Sequence, residues 1–273
     1  QIWITAMSSQ ALAAKEDTAT EVAVSFDRVS VRFDTSSGVI TALEDISLDI
    51  PSGGIVTMIG PSGCGKSTLM RTAADLNSVS DGSVTVFGKS PEQARKDRDL
   101  SFVFQDATLL EWRSAIDNVR LPLEIGIGGS KHGNASPEEL LDLVGLKGRE
   151  NALPYELSGG MRQRVSIARA LVTAPRLLLM DEPFGALDEI TRDALNVELL
   201  RIWEETGTTI IFVTHSIAEA AFLGQKVLVL ATNPGRVREY LDVDLHFPRN
   251  LHDRDTAEFT SIAAHLRYLL ETS

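Results

Sequence analysis

The sequence predicts an α/β fold built around a mostly parallel β-sheet. Short apolar segments, among them Leu177–Met180, Thr209–Val213 and Lys226–Leu230, alternate with stretches of helical periodicity. Strands that are apolar along their whole length are typical of parallel sheets covered by helices on both faces. A further strand of this kind, Ile55–Ile59, runs into a glycine-rich turn and a helix predicted over Lys66–Leu76. This repeated succession of strand and helix is the basis of the α/β prediction.

Further strands are predicted on either side of the glycine-rich turn. Apolar residues alternate from Val22 to Phe33, and Ile46–Ile50 repeats the pattern. Such alternation is expected for strands that bury one face. Shorter strands are predicted at Ser83–Phe87 and Ser101–Phe104.

The middle of the chain, about residues 107–160, has no strong strand pattern and is predicted to be helical. Within it, Ser136-Pro-Glu-Glu139 is a capping box with proline at the first helical position, which opens a helix through about Val144. An apolar stripe at helical spacing near the C-terminus predicts a helix that packs on the core. The stripe consists of Phe259, Ile262, Leu266, Leu269 and Leu270.

The two ends of the chain are expected to lie outside the main domain. Gln1–Ala6 precedes Met7, a candidate native start, so these six residues are interpreted as upstream sequence or an expression scar. A signal peptide is the competing interpretation, but the segment has no basic region and polar residues interrupt its apolar stretch. We expect residues 1–20 to be a disordered extension, residues 21–240 to form one domain containing the helical section, and residues 241–273 to form a C-terminal helical extension.

Composition excludes several classes of protein. The 273 residues include 26 Lys and Arg against 38 Asp and Glu, giving a formal net charge of −12, with 43% hydrophobic and 23% charged residues. These values are close to globular averages of about 45–50% and 25%, which excludes disorder, collagen or coiled coil as the dominant state. The acidic balance argues against a general nucleic-acid binder. A single cysteine, Cys64, cannot form an internal disulfide. No apolar run approaches the roughly 20 residues needed to cross a bilayer, so we expect any work at a membrane to depend on partners.

The glycine-rich turn matches the pattern of a phosphate-binding loop. Gly60-Pro-Ser-Gly-Cys-Gly-Lys66-Ser67 fits G-x-x-x-x-G-K-[ST] and lies between a strand and a helix, as the pattern requires. The glycines let backbone N–H groups converge on a phosphate, and the helix N-terminus adds about half a positive charge. Lys66 supplies a full charge to the β- and γ-phosphates, and Ser67 offers a hydroxyl to Mg²⁺. We therefore predict nucleotide contacts from Gly60, Pro61, Ser62, Gly63, Cys64, Gly65, Lys66, Ser67 and Thr68. Cys64 itself is either a small residue that the loop tolerates or a redox-sensitive thiol favoured by the helix N-terminus.

Two carboxylates follow a second buried strand. Leu177-Leu-Leu-Met precedes Asp181 and Glu182. We predict that Asp181 holds Mg²⁺ through water, and that Glu182 polarises a water in line with the γ-phosphate. The alternative, a solvated strand end, is disfavoured by the four apolar residues and by the upstream phosphate loop.

Leu157-Ser-Gly-Gly-Met-Arg-Gln-Arg164 resembles the signature motif of the ATP-binding cassette (ABC) ATPases. The resemblance covers about Val22 to Val237, and further motifs follow in the family's order. Gln105 matches the Q-loop glutamine, Gly185-Ala-Leu-Asp188 the D-loop, and His215 the switch histidine. Phe33 lies about where the family places an aromatic residue that stacks on adenine, although its alternation also fits a core strand.

The resemblance implies a fold, a reaction and partners. It implies a P-loop NTPase (RecA-like) core with a mostly parallel sheet, an antiparallel β subdomain and an inserted helical subdomain. It implies ATP hydrolysis with Mg²⁺, in which His215 contacts the γ-phosphate and holds Glu182 and the water, and Gln105 touches Mg²⁺ and hinges the helical section. Ser158, Gly159 and Gly160 begin a helix whose free N–H groups face a nucleotide held mainly by a second cassette, near Asp188. A head-to-tail dimer is therefore expected.

Three segments narrow the resemblance to the nitrate/sulfonate/taurine importer group. They are Leu109–Val119, where Glu111 stands in place of a frequent proline, Thr214–Leu223 and Asn233–Val237. This group implies separate permease subunits, an indirect solute-binding protein, and a location on the inner face of the plasma membrane. Trp112 and Leu110 either line the groove that receives the permease or pack in the helical section.

Two other functions are alternatives to that of an importer ATPase. ABC ATPases that act on DNA or ribosomes carry long insertions or two cassettes, whereas only about 50 residues separate Gln105 from Leu157 here and one signature is present. A nucleotide-regulated binding module without turnover would lack Glu182 or His215, and both are present.

Overall fold

The computed structural model describes residues 21–36, 38–126 and 135–272. The expectations for residues 1–20 lie outside the described residues. The strands are β1 Val22–Thr35, β2 Gly38–Pro51, β3 Ile55–Ile59, β4 Asp81–Val86, β5 Leu100–Val103, β6 Leu177–Asp181, β7 Thr209–Val213, β8 Lys226–Ala231 and β9 Arg236–Asp242. The helices are α1 Lys66–Ala73, α2 Pro91–Lys96, α3 Ala115–Glu124, α4 Pro137–Leu143, α5 Gly159–Leu171, α6 Glu189–Thr206, α7 Ile217–Leu223 and α8 Ala257–Glu271.

A six-stranded sheet forms the centre of the molecule. Its order is β5-β6-β7-β3-β8-β9, and every neighbouring pair is parallel except β8 and β9. All residues of β3, β6 and β7 are buried, as expected for central strands covered on both faces. The predicted α/β class and the mostly parallel sheet are confirmed.

A second sheet, of order β2-β1-β4, is antiparallel. It packs its inner face over α1 and the central sheet, in a core that includes Val24, Ile50 and Leu69. β1 pairs with β4 only as far as Ser30 and carries irregular register at several points, so its last residues extend beyond the three-stranded part. This sheet is the antiparallel subdomain that the resemblance implied.

The described part of the middle section is helical, as predicted. Ser136 caps α4 with its hydroxyl, and Glu139 returns a bond to the Ser136 N–H, which confirms the capping box. Helices α3 and α4 pack on α5 through apolar residues such as Val119, Leu141 and Val165. Residues 127–134 of this section lie outside the described residues.

The C-terminal segment packs on the central core. Phe259, Leu266 and Leu269 on α8 are buried against α7 and β8, so the predicted packing stripe is confirmed. The segment is not helical throughout, because it begins with the last residues of β9. Across the described ranges of the chain, no helix is long and apolar enough to cross a membrane.

Some boundaries differ from the sequence-based expectations. Helix α1 ends at Ala73, three residues before the predicted end, because Asp75 takes a positive φ that stops the helix. Helix α2 and strand β9 were not predicted. The first has only six residues, and the second is a half-buried edge strand whose charged residues hide its alternation.

Candidate functional site

The predicted site residues converge on one edge of the central sheet. Strands β5, β6, β7 and β3 are adjacent and parallel, so their carboxyl ends lie side by side. Gln105 follows β5, Asp181 and Glu182 end β6, His215 follows β7, and the glycine-rich loop follows β3. This is the edge at which open parallel sheets bind ligands.

The phosphate-binding loop is held open by backbone conformations that favour glycine. Gly63 and Gly65 have φ values of 77° and 94°. A Cβ on Gly65 would lie 2.5 Å from a Leu43 methyl carbon. The buried Lys66 ammonium folds over the loop and donates to the carbonyls of Gly60 and Pro61 at 2.8 and 3.1 Å. A full positive charge and the first N–H groups of α1 therefore face the same space.

A cleft of about 300 Å³ opens in front of this loop. It is lined by Ala42, Ser62, Gly63, Gly65, Lys66, Ser67, Thr68 and Glu182. Glu182 thus faces the loop from the neighbouring part of the sheet edge. The structure brings together a cationic loop and a carboxylate, with room between them for phosphate groups and a water molecule.

Ser67 and Asp181 place two oxygen donors side by side at the edge of the sheet. The Ser67 hydroxyl donates to Asp181 Oδ1 at 2.7 Å, and Arg71 Nη2 lies 3.6 Å from Asp181 Oδ2. Burial raises the pKa of the Asp181 carboxyl above its ordinary value, opposed by the Ser67 hydrogen bond and the Arg71 charge. Hard oxygen donors and a carboxylate short of compensating charge suit Mg²⁺, so the residues present fit this ion.

Glu182 and His215 form a second pair. His215 Nδ1 lies 3.5 Å from Glu182 Oε2. Glu182 has a φ of 48°, in a region that non-glycine residues seldom occupy, and its N–H donates to the Val213 carbonyl at 3.1 Å. Backbone strain of this kind concentrates at functional sites. The strained turn aims the carboxylate at the cleft rather than along the strand.

Gln105 lies beside this pair. A Cβ added to Gly185 would be 3.6 Å from the His215 ring and 3.7 Å from the Gln105 amide nitrogen, so both side chains flank Gly185. Among the described residues, Gln105 makes no hydrogen bond to Ser67 or Asp181. The structure therefore places Gln105 at the site but away from the candidate magnesium ligands.

Two side chains of helix α5 donate hydrogen bonds to the loop that contains Gln105. Gln163 Nε2 donates to the Phe104 carbonyl at 3.2 Å. The Arg169 guanidinium donates to the carbonyls of Ala107 and Thr108 at 2.7 and 2.9 Å. These two residues and Arg71 were not predicted from the sequence, because contacts between residues about 60 positions apart, or 110 for Arg71 and Asp181, leave no local pattern. The only available signal was two long polar side chains on a helix with an apolar face.

The signature residues stand apart from the cleft. Ser158 caps α5, accepting from the Met161 N–H at 3.3 Å, and Ser158 and Gly159 are exposed. Gly160 is buried, and a Cβ there would lie 2.7 Å from the Thr191 methyl on α6. Asp188 caps α6 by accepting from the Thr191 N–H and hydroxyl at 2.9 and 2.8 Å, which holds the pKa of Asp188 below its ordinary value. In the described part of the chain, none of these four predicted residues lines the cleft.

Phe33, Trp112 and Cys64, for which the sequence left two interpretations each, differ widely in exposure. The Phe33 side chain is 42% exposed, because it lies beyond a register shift in β1, so its core interpretation is wrong. Trp112 is 76% exposed and does not pack in the helical section, whereas Leu110 is half-buried. The Cys64 thiol is fully buried in the core between the sheets, 3.7 Å from Lys66 Nζ, as expected of a tolerated small residue.

Comparisons with known proteins agree with this geometry. The family model described as "ABC transporter" matches residues 43–185. The taurine import ATP-binding protein TauB of Rhizobium johnstonii is 50% identical over 80% of this chain and 83% of its own length. The aliphatic sulfonates import ATP-binding protein SsuB of Bacillus subtilis is 44% identical over 81% of this chain and 84% of its own.

Solved structures with the same architecture include a dimeric post-hydrolysis state of the ATP-binding cassette MJ0796 bound to ADP and Pi. Its TM-score is 0.70 at 32% identity, over 82% of this chain and all of that one. CbiO1 of Clostridium perfringens, part of the cbiONQ transporter complex, matches with a TM-score of 0.70 at 21% identity, over 92% of this chain and 98% of that one. The second likeness shows the fold alone.

Proposed function

The chain belongs to the ABC transporter family, and on that basis we propose that it is the ATP-hydrolysing subunit of an importer for a small anion of the taurine or sulfonate type. One observation carries this proposal. A chain half identical to a taurine import subunit brings a phosphate loop, two carboxylates and a histidine to one sheet edge.

ATP binding depends on the loop after β3. The backbone N–H groups of residues 60–68 would surround the β- and γ-phosphates, as in other phosphate-binding loops. Lys66 would exchange the loop carbonyls for phosphate oxygens, because a phosphate carries a full negative charge and a carbonyl only a dipole. Phe33, exposed at the end of β1, would stack on the adenine ring.

Ser67 and Asp181 would hold Mg²⁺, with Gln105 joining them when the nucleotide is bound. When bound, the ion neutralises charge on the phosphates during transfer. Its positive charge would also offset the cost of burying Asp181. Because Gln163 and Arg169 fix the Gln105 loop to α5, a movement of Gln105 toward the nucleotide would be passed to the helical section.

Glu182 and His215 would perform the hydrolytic step. Glu182 accepts a hydrogen bond from the attacking water and holds it in line with the γ-phosphate. His215, in contact with Glu182, would hold the carboxylate and touch the γ-phosphate. Such phosphoryl transfer relies mainly on positioning and electrostatics, which a fixed pair of side chains provides.

The exposed N-terminus of α5 supports a head-to-tail dimer. Ser158, Gly159 and Gly160 offer free N–H groups and a positive helix end, and they lie away from the chain's own cleft. They would complete the nucleotide site of a second cassette, with Asp188 at the joint between the two. The dimeric structure of the MJ0796 cassette supports the association of two cassettes.

The exposed Trp112 supports contact with a permease. A large apolar side chain 76% exposed on the helical section is suited to a protein interface. We place the chain on the inner face of the membrane, where ATP is available. Residues 21–240 would form its ATPase domain, and residues 241–273 a C-terminal extension. The solute-binding protein would act only through the permease, and we expect no nucleic-acid partner.

Purification from host membranes tests the proposal. The tagged chain, extracted in mild detergent, should recover a hydrophobic permease in equal amount. Trp112→Ala should lower that recovery at least severalfold, since a buried aromatic anchor is worth about 2 kcal/mol or more at an interface. Tyr268→Ala, which removes another exposed aromatic, 61% exposed on α8, is the matched control and should leave recovery unchanged.

Recovery of ribosomal or DNA-repair proteins in place of a permease would contradict the importer function. Equal permease recovery by the Trp112→Ala and unmodified chains would contradict only the contact made by Trp112, and would leave the importer function in place.

A further inference from the structure

Glu219 is a buried carboxylate to which the hydrolytic steps above assign no role. It lies in the first turn of α7 and is 5% exposed. The Thr214 hydroxyl donates to its Oε2, and the Asn196 amide donates to its Oε1 at 3.4 Å. A buried carboxylate costs free energy unless it is hydrogen-bonded, so these two donors determine where Glu219 can lie.

The hydrogen bonds of Glu219 close a short turn around His215. The Ser216 N–H donates to the Thr214 hydroxyl oxygen at 2.9 Å, and that hydroxyl in turn donates to Glu219. The Glu219 N–H donates back to the Ser216 hydroxyl at 3.3 Å. The residues on both sides of His215 are thus joined to Glu219, Thr214 directly through the carboxylate and Ser216 through the backbone N–H and, indirectly, through the Thr214 hydroxyl.

His215 itself has little to hold it. Its side chain is 58% exposed, and Glu182 is its partner at 3.5 Å. The backbone before it is tied to β3, because the Thr214 N–H donates to the Met58 carbonyl at 3.1 Å. The direction of the imidazole therefore depends on the turn from Thr214 to Ser216. Ser216 caps α7, and the Glu219 side chain joins Thr214 to α7 and, through Asn196, to α6.

We propose that Glu219 is a positioning residue for His215, acting through the Thr214 hydroxyl. The proposal rests on the role given to His215 under the proposed function. Helix α6 begins at Glu189 and is capped by Asp188, so the contact with Asn196 also joins the His215 turn to the helix that would lie at the dimer joint. Glu219 touches neither nucleotide nor water in this arrangement.

The test is a double-mutant cycle on the ATPase activity of the full chain. Glu219→Ala should lower kcat roughly tenfold or more, within the range of a misplacement of about 1 Å, without changing the dissociation constant for ATP. Glu219→Gln keeps an acceptor oxygen for Thr214 and should restore most of kcat. In a His215→Ala background, Glu219→Ala should have no further effect, because the residue that it positions is absent.

A second measurement does not depend on residual activity. The imidazole Cε1–H resonance of His215, assigned by its loss in His215→Ala, should shift in Glu219→Ala and in Thr214→Val. It should not shift in Arg249→Met. Arg249 donates to the carbonyls of Ala221, Phe222 and Gly224 at the opposite end of α7, so this control lowers stability without touching the turn.

Several results would overturn the proposal. They are an unchanged kcat in Glu219→Ala, an equal loss of kcat with and without His215, and an unshifted His215 resonance. If Glu219→Ala fails to fold, Thr214→Val takes its place with the same expected pattern. A wild-type kcat in His215→Ala alone would remove His215 from catalysis, and that single variant separates failure of the proposed function from failure of the Glu219 link.

Discussion

The phosphate-loop edge and the signature turn, the two regions to which the proposed function assigns phosphate contacts, are built in opposite ways. At the edge, Lys66 and Ser67 face Asp181 and Glu182 from adjacent strands of the same chain. The signature turn at Ser158 presents a helix N-terminus that is exposed at Ser158 and Gly159 and has no acidic residue in its first helical turn. Under the proposed function, the first region holds the groups for hydrolysis, and the second holds a binding element that needs a surface supplied by another copy of the chain.

This contrast gives a reason why the catalytic groups would lie on one chain and the signature turn that completes the site on another. Chemistry requires carboxylate, histidine and lysine within a few ångströms, which adjacent parallel strands provide. A binding element on a separate helix adds its interaction only when two copies meet. The ATPase activity of such an enzyme would depend on dimer formation, and bound nucleotide would stabilise the contact between the two copies.

The largest expected effect comes from breaking the first region alone. Glu182→Gln should retain ATP binding and abolish turnover, since the amide cannot polarise the water but leaves the loop and Lys66 intact. The dimer should then persist with ATP, as seen by size-exclusion chromatography. Lys66→Ala should instead lose ATP affinity. Turnover at the wild-type rate in Glu182→Gln would remove this carboxylate from its role.

A mixture of two inactive variants sharpens the comparison between the regions. Ser158→Arg disables the signature turn, and Lys66→Ala disables the loop, so each alone should be inactive. A mixed dimer contains one intact site, formed by the loop of one chain and the signature of the other. An equal mixture should therefore recover up to about a quarter of wild-type ATPase activity, because half of the dimers carry one of two sites.

The outcome of mixing discriminates between two arrangements of the signature turn. If the turn serves the cleft of its own chain, neither variant can supply what the other lacks, and activity stays at the level of the separate variants. The control is a mixture of Lys66→Ala with Glu182→Gln. Both substitutions lie in the loop-edge region, so every site in the mixed dimer is damaged and no recovery is expected.

Local patterns predicted the loop edge well, since each of its residues ends or follows a buried strand. Once Ile55–Ile59 and Leu177–Asp181 are recognised as parallel strands, topology alone brings Lys66 and Glu182 to one edge. The capping box at Ser136 and the packing stripe on α8 are likewise short-range signals. These are the features for which chain distance and spatial distance agree.

Contacts across long stretches of chain could not be predicted. Arg169 donates to carbonyls about 60 residues away along the chain. Glu219 lies on α7, whereas its hydrogen-bond donor Asn196 lies on α6. Phe33 alternates like a core residue, but a register shift in β1 moves it to the surface. Neither charge nor periodicity encodes these outcomes, because they depend on how whole elements are placed against one another.

The smallest expected effect compares two aspartates, Asp181 at the phosphate-loop edge and Asp188 at the N-terminus of α6. Burial raises the folded-state pKa of Asp181 above its ordinary value of 3.8, so its ionised form opposes folding, and this cost appears as pH rises through the folded pKa. Hydrogen bonds from Thr191 lower the folded-state pKa of Asp188, so its stabilising effect is present above pH 3.8 and is lost as pH falls through the folded pKa. At pH 7 in the absence of nucleotide, Asp181→Asn should therefore raise the urea midpoint of unfolding. Asp188→Asn should lower the midpoint, and only slightly, because asparagine still caps a helix. The increase in midpoint for Asp181→Asn should shrink as pH is lowered toward 4. A lower midpoint in Asp181→Asn at pH 7 would show that Ser67 and Arg71 already compensate the buried charge, and that the loop edge is electrostatically complete without a cation.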